Sequence, residues 1–376
     1  MSDTNTNGVT IVTTGEERKK FLEFPYKLYK GEEFWVPPLR MDQKKLIDVN
    51  KNPFFNNAEM AMFIAEKNGE PSGRIAAIID HRFNEFHNQK VGNFGFFECI
   101  DDQNCADLLF KVAGDWLKER GMTEILGPSN PSMLDTPGVL TKGFDKLPYI
   151  LMPYNMPYYD KLICNAGFEK AMGLVAYVVD KSIVSEDRIN RAVEIVKRRT
   201  PGLTMRKVNK KEMRKEAEII RLIFNEAWSD NWGFIPLTKE EFSHTADDLK
   251  LVIDTDLAYI AEVDGKPIAF SIALPDYNQV FKKMNGNLFP LGIFKLLLGR
   301  KKIDRIRTVL MGVHPDYRGK GIDALLHQKS IIHGPEKGMS TSEMSWILET
   351  NTDMIRVAER IGGYLDKEYK MYNKQL

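Results

Sequence analysis

The sequence TVLMGVHPDYRGKGIDALLHQ, at residues 308–328, decides the fold of the second half of this chain. Its first six residues are mostly apolar and include β-branched side chains, as expected for a buried strand. A basic loop with two glycines follows, and the residues from Ile322 onward have the spacing of an amphipathic helix. The stretch therefore predicts a strand, a glycine-bearing loop and a helix.

A loop of this kind suits an anion at the start of the helix. The first backbone N–H groups of a helix have no partner within the helix, and the helix dipole adds a partial positive charge beside them. Gly319 and Gly321 allow the backbone to approach a ligand closely, while Arg318 and Lys320 supply positive charge. We therefore predict that this segment binds a phosphate group.

The segment resembles the acyl-CoA loop of the GNAT (GCN5-related N-acetyltransferase) superfamily, whose pattern is R/Q-x-x-G-x-G/A. Arg318 and Gly321 match the first two fixed positions, whereas Asp323 stands where the family has Gly or Ala. An acidic side chain near a pyrophosphate is repulsive unless it faces away or pairs with Lys320, and we interpret the departure as a tuned site. The alternatives are an ordinary strand–loop–helix turn and a dinucleotide-binding turn.

The resemblance implies which residues hold acetyl-CoA or a longer acyl-CoA as co-substrate. Backbone N–H groups of Gly312 and Val313 are the expected partners of the thioester oxygen and the pantetheine arm. Asn351, after the next predicted strand, stands where the superfamily often has an Asn that contacts the cofactor arm. The predicted cofactor-binding residues are Gly312, Val313, Arg318, Gly319, Lys320, Gly321, Ile322 and Asn351.

Acylation of an amine requires a base for the amine, a polarised thioester carbonyl and an acid for the departing thiolate. Many superfamily members use a Glu on the strand before the loop and a Tyr seven residues after the Asn, and this sequence has neither. The candidate bases are Glu349, at the end of the next strand, and His314, whose side-chain type titrates near neutral pH. Tyr369 or Tyr372 is the candidate acid. Catalysis by positioning alone is the alternative.

The chain contains an internal repeat. FIAEKNGEP at residues 63–71 recurs as YIAEVDGKP at residues 259–267, and both predict a hairpin with a tight Asn-Gly or Asp-Gly turn. The later matches, each bracketing a predicted helix, are Leu108-Leu109 with Gly121-Met122 and Leu325-Leu326 with Gly338-Met339. The repeat predicts an α/β fold of two tandem domains, residues 1–180 and 200–376, each with a mixed central sheet and helices on both faces. The resemblance implies that both domains are GNAT-like.

The two copies differ at the loop. Aligning their helices on the paired leucines places residues 101–105, which include two Asp residues, opposite residues 318–322. Two carboxylates repel a pyrophosphate. We therefore predict that only the second copy binds CoA.

The resemblance extends over nearly the whole chain, to a bacterial tandem-GNAT family similar to bacterial ceramide synthases, which acylate a sphingoid amine from acyl-CoA. The stretches that carry it are residues 35–38, 127–130, 154–155, 158–159, 224–228 and 231–236. It implies an acyl-CoA-dependent N-acyltransferase that transfers an acyl or acetyl group to a primary amine, either a small molecule or a sphingoid-type lipid. The alternatives are an aminoacyl transferase of the peptidoglycan-bridge type and a non-enzymatic acyl-CoA-sensing protein.

One insertion, LFPLGIFKLLLGRKK at residues 288–302, is apolar and ends in a basic cluster. It predicts either a core helix packed on the sheet or a surface for an acyl chain or a membrane interface. In the second case Arg300, Lys301 and Lys302 suit anionic headgroups.

Composition excludes several other classes of protein. The formal net charge of +1 provides no field that would hold nucleic acid. The three cysteines form no CxxC pair, so we expect free thiols and no metal site. The polar first eight residues and the lack of a run of about 20 apolar residues favour a cytoplasmic protein. If the insertion is interfacial, we expect peripheral contact with the inner face of the membrane.

Overall fold

The computed structural model of the chain describes residues 8–249 and 252–376, without the side chains of residues 188, 248, 329–333 and 335. Residues 1–7, most of the polar N-terminal stretch, lie outside the described residues. The chain forms two compact units that are interrupted in sequence. The first unit comprises Met1–Leu174, Phe281–Lys295 and Lys367–Leu376, and the second comprises Val175–Val280 and Leu296–Asp366.

Both units contain strands and helices. The strands are β1 (Val9–Ile11), β2 (Ala58–Lys67), β3 (Glu70–Asp80), β4 (Val91–Cys99), β5 (Glu124–Gly127), β6 (Val139–Lys142), β7 (Glu169–Asp180), β8 (Leu203–Lys207), β9 (Ala258–Val263), β10 (Lys266–Pro275), β11 (Arg305–Val313), β12 (Thr341–Leu348) and β13 (Tyr364–Gln375). The helices are α1 (Gly15–Leu28), α2 (Arg40–Leu46), α3 (His81–His87), α4 (Gln103–Lys118), α5 (Tyr159–Asn165), α6 (Glu186–Arg199), α7 (Met213–Trp228), α8 (Lys239–Leu249), α9 (Asn278–Phe281), α10 (Gly292–Gly299), α11 (Ile322–Glu336) and α12 (Thr352–Arg360).

The sheet of the first unit begins with antiparallel strands and continues with a parallel pair. Strands β1 to β4 pair antiparallel in order, β5 joins β4 in parallel, and the end of β13 pairs antiparallel with β5. Helix α4 covers one face, where Leu109 packs in one core cluster with Ala77. Helix α1 covers the other face, where Phe21 packs with Ile78. Successive side chains of a strand point to opposite faces, so both faces of β3 are buried.

The sheet of the second unit repeats this order. Strands β8 to β11 pair antiparallel, and β12 joins β11 in parallel. Helices α6 and α11 cover one face, where Val196 and Leu326 pack with Ala269. Helix α7 covers the other face. Its Ala227 packs so closely on Gly312 of β11 that a Cβ added to this glycine would lie 3.0 Å from the Ala227 Cβ. The predicted mixed sheet with helices on both faces is confirmed.

The hairpins that revealed the repeat have matching turns. Both residues of each turn have positive φ: 55° and 80° at Asn68 and Gly69, and 51° and 79° at Asp264 and Gly265. A two-residue hairpin turn with positive φ at both positions follows the twist of its strands, and Asn-Gly and Asp-Gly adopt it at the lowest cost. The predicted internal repeat is therefore present in the backbone.

The apolar insertion is not a core helix. Leu291, Phe294 and Leu298, in or beside α10, are 69%, 62% and 75% exposed. Among the described residues, no helix is long and apolar enough to cross a membrane. The described part of the chain also contains no cluster of metal-ligating side chains, and its three cysteines are free.

Candidate active site

The strand before the loop separates from its parallel neighbour halfway along its length. The β11–β12 ladder runs from the pair Arg305–Thr341 to the pair Thr308–Met344, although β11 continues to Val313. The register between β10 and β11 shifts at Ile272/Ala273, where Val309 of β11 is skipped, and β11 then stays paired with β10 as far as Val313. The last residues of β11 therefore have one paired edge and one open edge.

The hydrogen bonding of β11 shows which backbone groups face the open edge. The His314 N–H donates to the Ile268 carbonyl at 2.8 Å. Because antiparallel pairs alternate between bonded and non-bonded positions, Gly312 also faces β10, whereas Met311 and Val313 face the opening. Of the two N–H groups expected at the thioester and the pantetheine arm, only that of Val313 points into the opening.

Gly312 contributes space rather than a free N–H. A Cβ at this position would lie 2.8 Å from the ring of Phe270 and 3.0 Å from the Cβ of Ala227. Contacts that short require a neighbour to move. A glycine here therefore lets the C-terminal end of α7 lie directly on β11.

Trp228, the last residue of α7, reaches the open edge of β11. Its indole N–H donates to the Met311 carbonyl at 2.9 Å, and its ring centroid lies 4.9 Å from that of Phe224. A buried carbonyl without a donor costs about 1–3 kcal/mol. Trp228 thus satisfies the Met311 carbonyl, while the Val313 N–H stays directed into the opening.

The loop presents a row of free backbone donors. The N–H groups of residues 319–323 have no acceptor among the described residues. Gly319 and Gly321 have φ of 70° and 83°, in the left-handed region that favours glycine. Helix α11 begins directly after them, at Ile322. Consecutive N–H groups at a helix start form a concave site for an anion.

The charged side chains of the loop are anchored to neighbouring groups. The Arg318 guanidinium donates to the Ala227 carbonyl at 2.5 Å and to Asp230 at 3.3 Å, so it ties the loop to α7. The Lys320 ammonium lies 4.5 Å from the centroid of the Tyr317 ring. Arg318 has further N–H groups available for a ligand, since a guanidinium carries five.

The remaining predicted site residues lie in different settings. Asn351 caps α12, since its side-chain oxygen accepts from the Met354 N–H at 3.1 Å. Glu349 is exposed in the turn after β12. His314 is half-buried, and its ring accepts from the Asp316 N–H at 3.3 Å. The structure brings His314, Val313 and the loop together along one stretch of chain.

Tyr372, the predicted acid, belongs to the first unit. It is fully buried in the core there and donates its hydroxyl proton to Asp160. Burial, together with this hydrogen bond, raises the pKa of Tyr372 well above its usual range. Tyr369, the alternative acid, lies on the same strand and is also buried.

The first unit has the same opening, but its own chain occupies it. The β4–β5 ladder ends at Asn93–Leu126, although β4 continues to Cys99. In the repeat alignment, Phe94 and Phe96 correspond to Met311 and Val313. The Phe94 carbonyl accepts from the Ser129 N–H at 3.0 Å, and the Phe96 N–H donates to the Asn130 side chain at 2.5 Å.

The helix start of the first unit is also closed. Asp102 caps α4 by accepting from the N–H groups of Asn104 and Cys105 at 3.0 and 3.4 Å. The Lys67 ammonium pairs with the same carboxylate at 2.6 Å. Donors that would hold a phosphate in the second unit are therefore bound internally in the first. The sequence indicated the Asp residues but not the part played by Ser129 and Asn130.

Comparison with known proteins agrees with this geometry. The family described as Acetyltransferase (GNAT) family matches residues 218–364, which include the loop. Protein YghO of Escherichia coli (strain K12) is 36% identical over 366 residues, which cover 95% of this chain and 93% of that protein. Bacterial ceramide synthase of Caulobacter vibrioides is 35% identical over 376 residues, covering 98% and 97%.

A solved structure shows the same tandem fold. It is a tandem GNAT protein from the clavulanic acid biosynthesis pathway, with a TM-score of 0.57 and 98% of each chain covered. The sequence identity is 11%, so this similarity concerns the fold alone.

Proposed function

Because the chain belongs to the Acetyltransferase (GNAT) family in its tandem form, we propose that it is an acyl-CoA-dependent N-acyltransferase whose second unit binds the donor. The observation that carries this proposal is the row of free N–H groups at residues 319–323 beside the open edge at Val313. The family membership favours an N-acyltransferase over the non-enzymatic alternative.

The pyrophosphate and the pantetheine arm of acyl-CoA each have matching groups in the second unit. The pyrophosphate lies at the free N–H groups of the loop, with Lys320 and the remaining N–H groups of Arg318 nearby. The pantetheine arm contains amides, and it extends strand β11 by accepting from Val313. The thioester then lies deeper in the opening, towards the last β11–β12 pair.

The first unit does not bind a donor under this proposal. Its edge groups are bonded to Ser129 and Asn130, and its helix start is capped by Asp102. A CoA molecule would have to displace these contacts and approach two carboxylates. We therefore expect one acyl-CoA per chain.

We propose a lipid amine of the sphingoid type as the acceptor. Two observations support this: a relative that matches 98% of this chain is a bacterial ceramide synthase, and α10 exposes several large apolar side chains. Burial of one such side chain in a bilayer gains about 1.5–3 kcal/mol. The basic residues 300–302, directly after α10, suit an anionic surface. The protein thus takes its acceptor from the membrane interface.

Product analysis tests the proposed function. Purified protein is incubated with palmitoyl-CoA or acetyl-CoA, and with either sphinganine or a short water-soluble amine. We expect N-palmitoyl sphinganine and an equal amount of free CoA. Release of CoA without any amide product would overturn the N-acyltransferase proposal. Equal use of both donors and both amines would contradict the proposed lipid acceptor but would still support an N-acyltransferase.

A further inference from the structure

A buried polar cluster lies where β11 and β12 separate. Arg307 and Glu343 are direct partners in the ladder, and the last pair, Thr308–Met344, comes immediately after them. The neighbouring Ile306 side chain points towards α11, because a Cβ on Gly334 of that helix would lie 3.1 Å from it. Arg307 therefore points to the opposite face, the one that α7 covers.

The cluster contains a short chain of hydrogen bonds that ends on a carboxylate. The Ser345 hydroxyl donates to Glu343 at 2.6 Å and accepts from the Arg307 guanidinium at 2.7 Å. The same guanidinium also donates to the Ser345 carbonyl at 3.1 Å. All three residues are buried, and Glu343 has no exposed surface. Ser345 is the first residue of β12 beyond the last ladder pair.

Two polar atoms of this cluster have no partner among the described residues. They are the second carboxylate oxygen of Glu343 and the indole N–H of Trp346. Trp346 belongs to the same group, since the Arg307 guanidinium lies 4.8 Å from its ring centroid. A buried acceptor and a buried donor left unpaired each cost about 1–3 kcal/mol. Unpaired buried polar atoms of this kind occur at catalytic sites and at sites that hold a ligand or a water molecule.

We propose that Ser345 and Glu343 form the proton relay of the acyl transfer. The inference rests on the proposed function, and it assigns the base to residues that the sequence did not single out. Ser345 contacts the acceptor amine at the apex of the opening, and Glu343 receives the proton through it. Arg307 is a positioning residue, because its guanidinium holds the Ser345 oxygen through the 2.7 Å hydrogen bond.

The relay accounts for every bond and proton of the reaction. The amine nitrogen attacks the thioester carbon, so a C–N bond forms and the C–S bond breaks. The surplus proton on nitrogen passes to the Ser345 oxygen as the Ser345 proton moves to Glu343. The thiolate of CoA leaves and takes up the proton that Glu343 then releases. The products are an amide and a thiol, and the protein returns to its starting state.

The charges around Glu343 suit a base that works near neutral pH. The pKa of Glu343 is raised to about 7, and burial is the largest cause. Within this net result the Arg307 charge lowers the pKa, while Asp366 and Asp276 raise it. Asp276 itself is paired with Arg305. A base is most effective when its pKa lies near the working pH. By contrast, Glu349 is exposed in the turn after β12 and lies outside this cluster.

The test is the pH dependence of kcat in the intact protein, with saturating palmitoyl-CoA and sphinganine. In the wild type we expect kcat to fall below about pH 7, as Glu343 becomes protonated. In Glu343→Gln we expect kcat to drop by about 10²–10⁴-fold and this acid limb to disappear. In Ser345→Ala we expect a similar drop, because the amine has lost its contact. Affinity for CoA should change by less than about threefold in both variants.

Glu216→Gln is the matched control, because Glu216 is also buried and bonded to an arginine, Arg206, at 2.8 Å. We expect it to lose stability but to keep the acid limb of kcat. A Glu343→Gln variant that retains the acid limb would overturn the relay, as would a Glu349→Gln variant that alone loses it. A wild-type protein that acylates no amine would instead contradict the proposed N-acyltransferase function itself.

Discussion

The most informative perturbation of the donor site is a pair of substitutions at Gly319. This residue has a φ of 70°, and an added Cβ would meet no atom within 4 Å. Asn and Asp both tolerate a left-handed backbone, so the two variants bear a similar conformational cost. They have nearly the same shape and differ by one negative charge, placed beside the row of free N–H groups.

The expected difference in affinity follows from Coulomb's law. Two unit charges about 4 Å apart interact by about 1 kcal/mol in water and about 4 kcal/mol near a protein surface. A carboxylate a little farther from a pyrophosphate should therefore weaken binding by about 1–3 kcal/mol. This corresponds to roughly 5- to 150-fold in Kd between Gly319→Asp and Gly319→Asn.

Isothermal titration calorimetry with CoA, at about 0.05 M and 0.5 M salt, measures this difference. The difference in Kd between the two Gly319 variants should become smaller at high salt, because salt screens exposed charges. Asp101→Asn in the first unit serves as the control and should leave the Kd unchanged. Equal affinities of the two Gly319 variants at low salt would show that the loop does not hold the pyrophosphate.

Three further outcomes are expected. Trp228→Phe should lower the free energy of unfolding by about 1–3 kcal/mol and weaken acyl-CoA binding, because the Met311 carbonyl loses its donor. Urea unfolding and calorimetry measure these two quantities, and unchanged values of both would contradict the role given to Trp228 at the open edge of β11. The pKa of Glu343 is raised from 4.5 to about 7 in the folded state, so its contribution to the free energy of unfolding falls as pH rises through this range. Between these two pH values, urea unfolding should show the wild type losing about 3 kcal/mol relative to Glu343→Gln. A difference between the two proteins that does not change with pH would contradict a buried Glu343 carboxyl. Phe294→Ser should reduce sedimentation of the protein with anionic vesicles, whereas Phe86→Ser, at a residue that is also exposed, should not. An equal loss of vesicle binding in both variants would contradict the proposal that α10 contacts the membrane.

The strand, the loop and the repeat were predictable because local sequence determines them. Gly319 and Gly321 interrupt an apolar strand and a helix, and the turns at Asn68-Gly69 and Asp264-Gly265 have a strong local preference for positive φ. These features need only a few neighbouring residues. For that reason the loop and both hairpins appear at the expected positions.

Contacts between distant segments could not be predicted in this way. Ser129 fills the opening of the first unit through a bond to Phe94, and no periodicity in either segment indicates it. The alternation that directs Val313, and not Gly312, into the opening depends on the pairing with β10. Glu343 resembles an ordinary strand residue until its ladder partner, Arg307, is known. The exposure of α10 likewise depends on tertiary packing.

Hydrogen exchange of the two corresponding strand amides tests the central claim most directly. Amide exchange of Val313 and Phe96 is measured in the intact chain with and without a saturating acyl-CoA. We predict that the donor protects Val313 and residues 319–323, whose N–H groups are free, and leaves Phe96 unchanged because Asn130 already accepts from it. Protection at Phe96 with no change at Val313 would place the donor in the first unit and contradict the account.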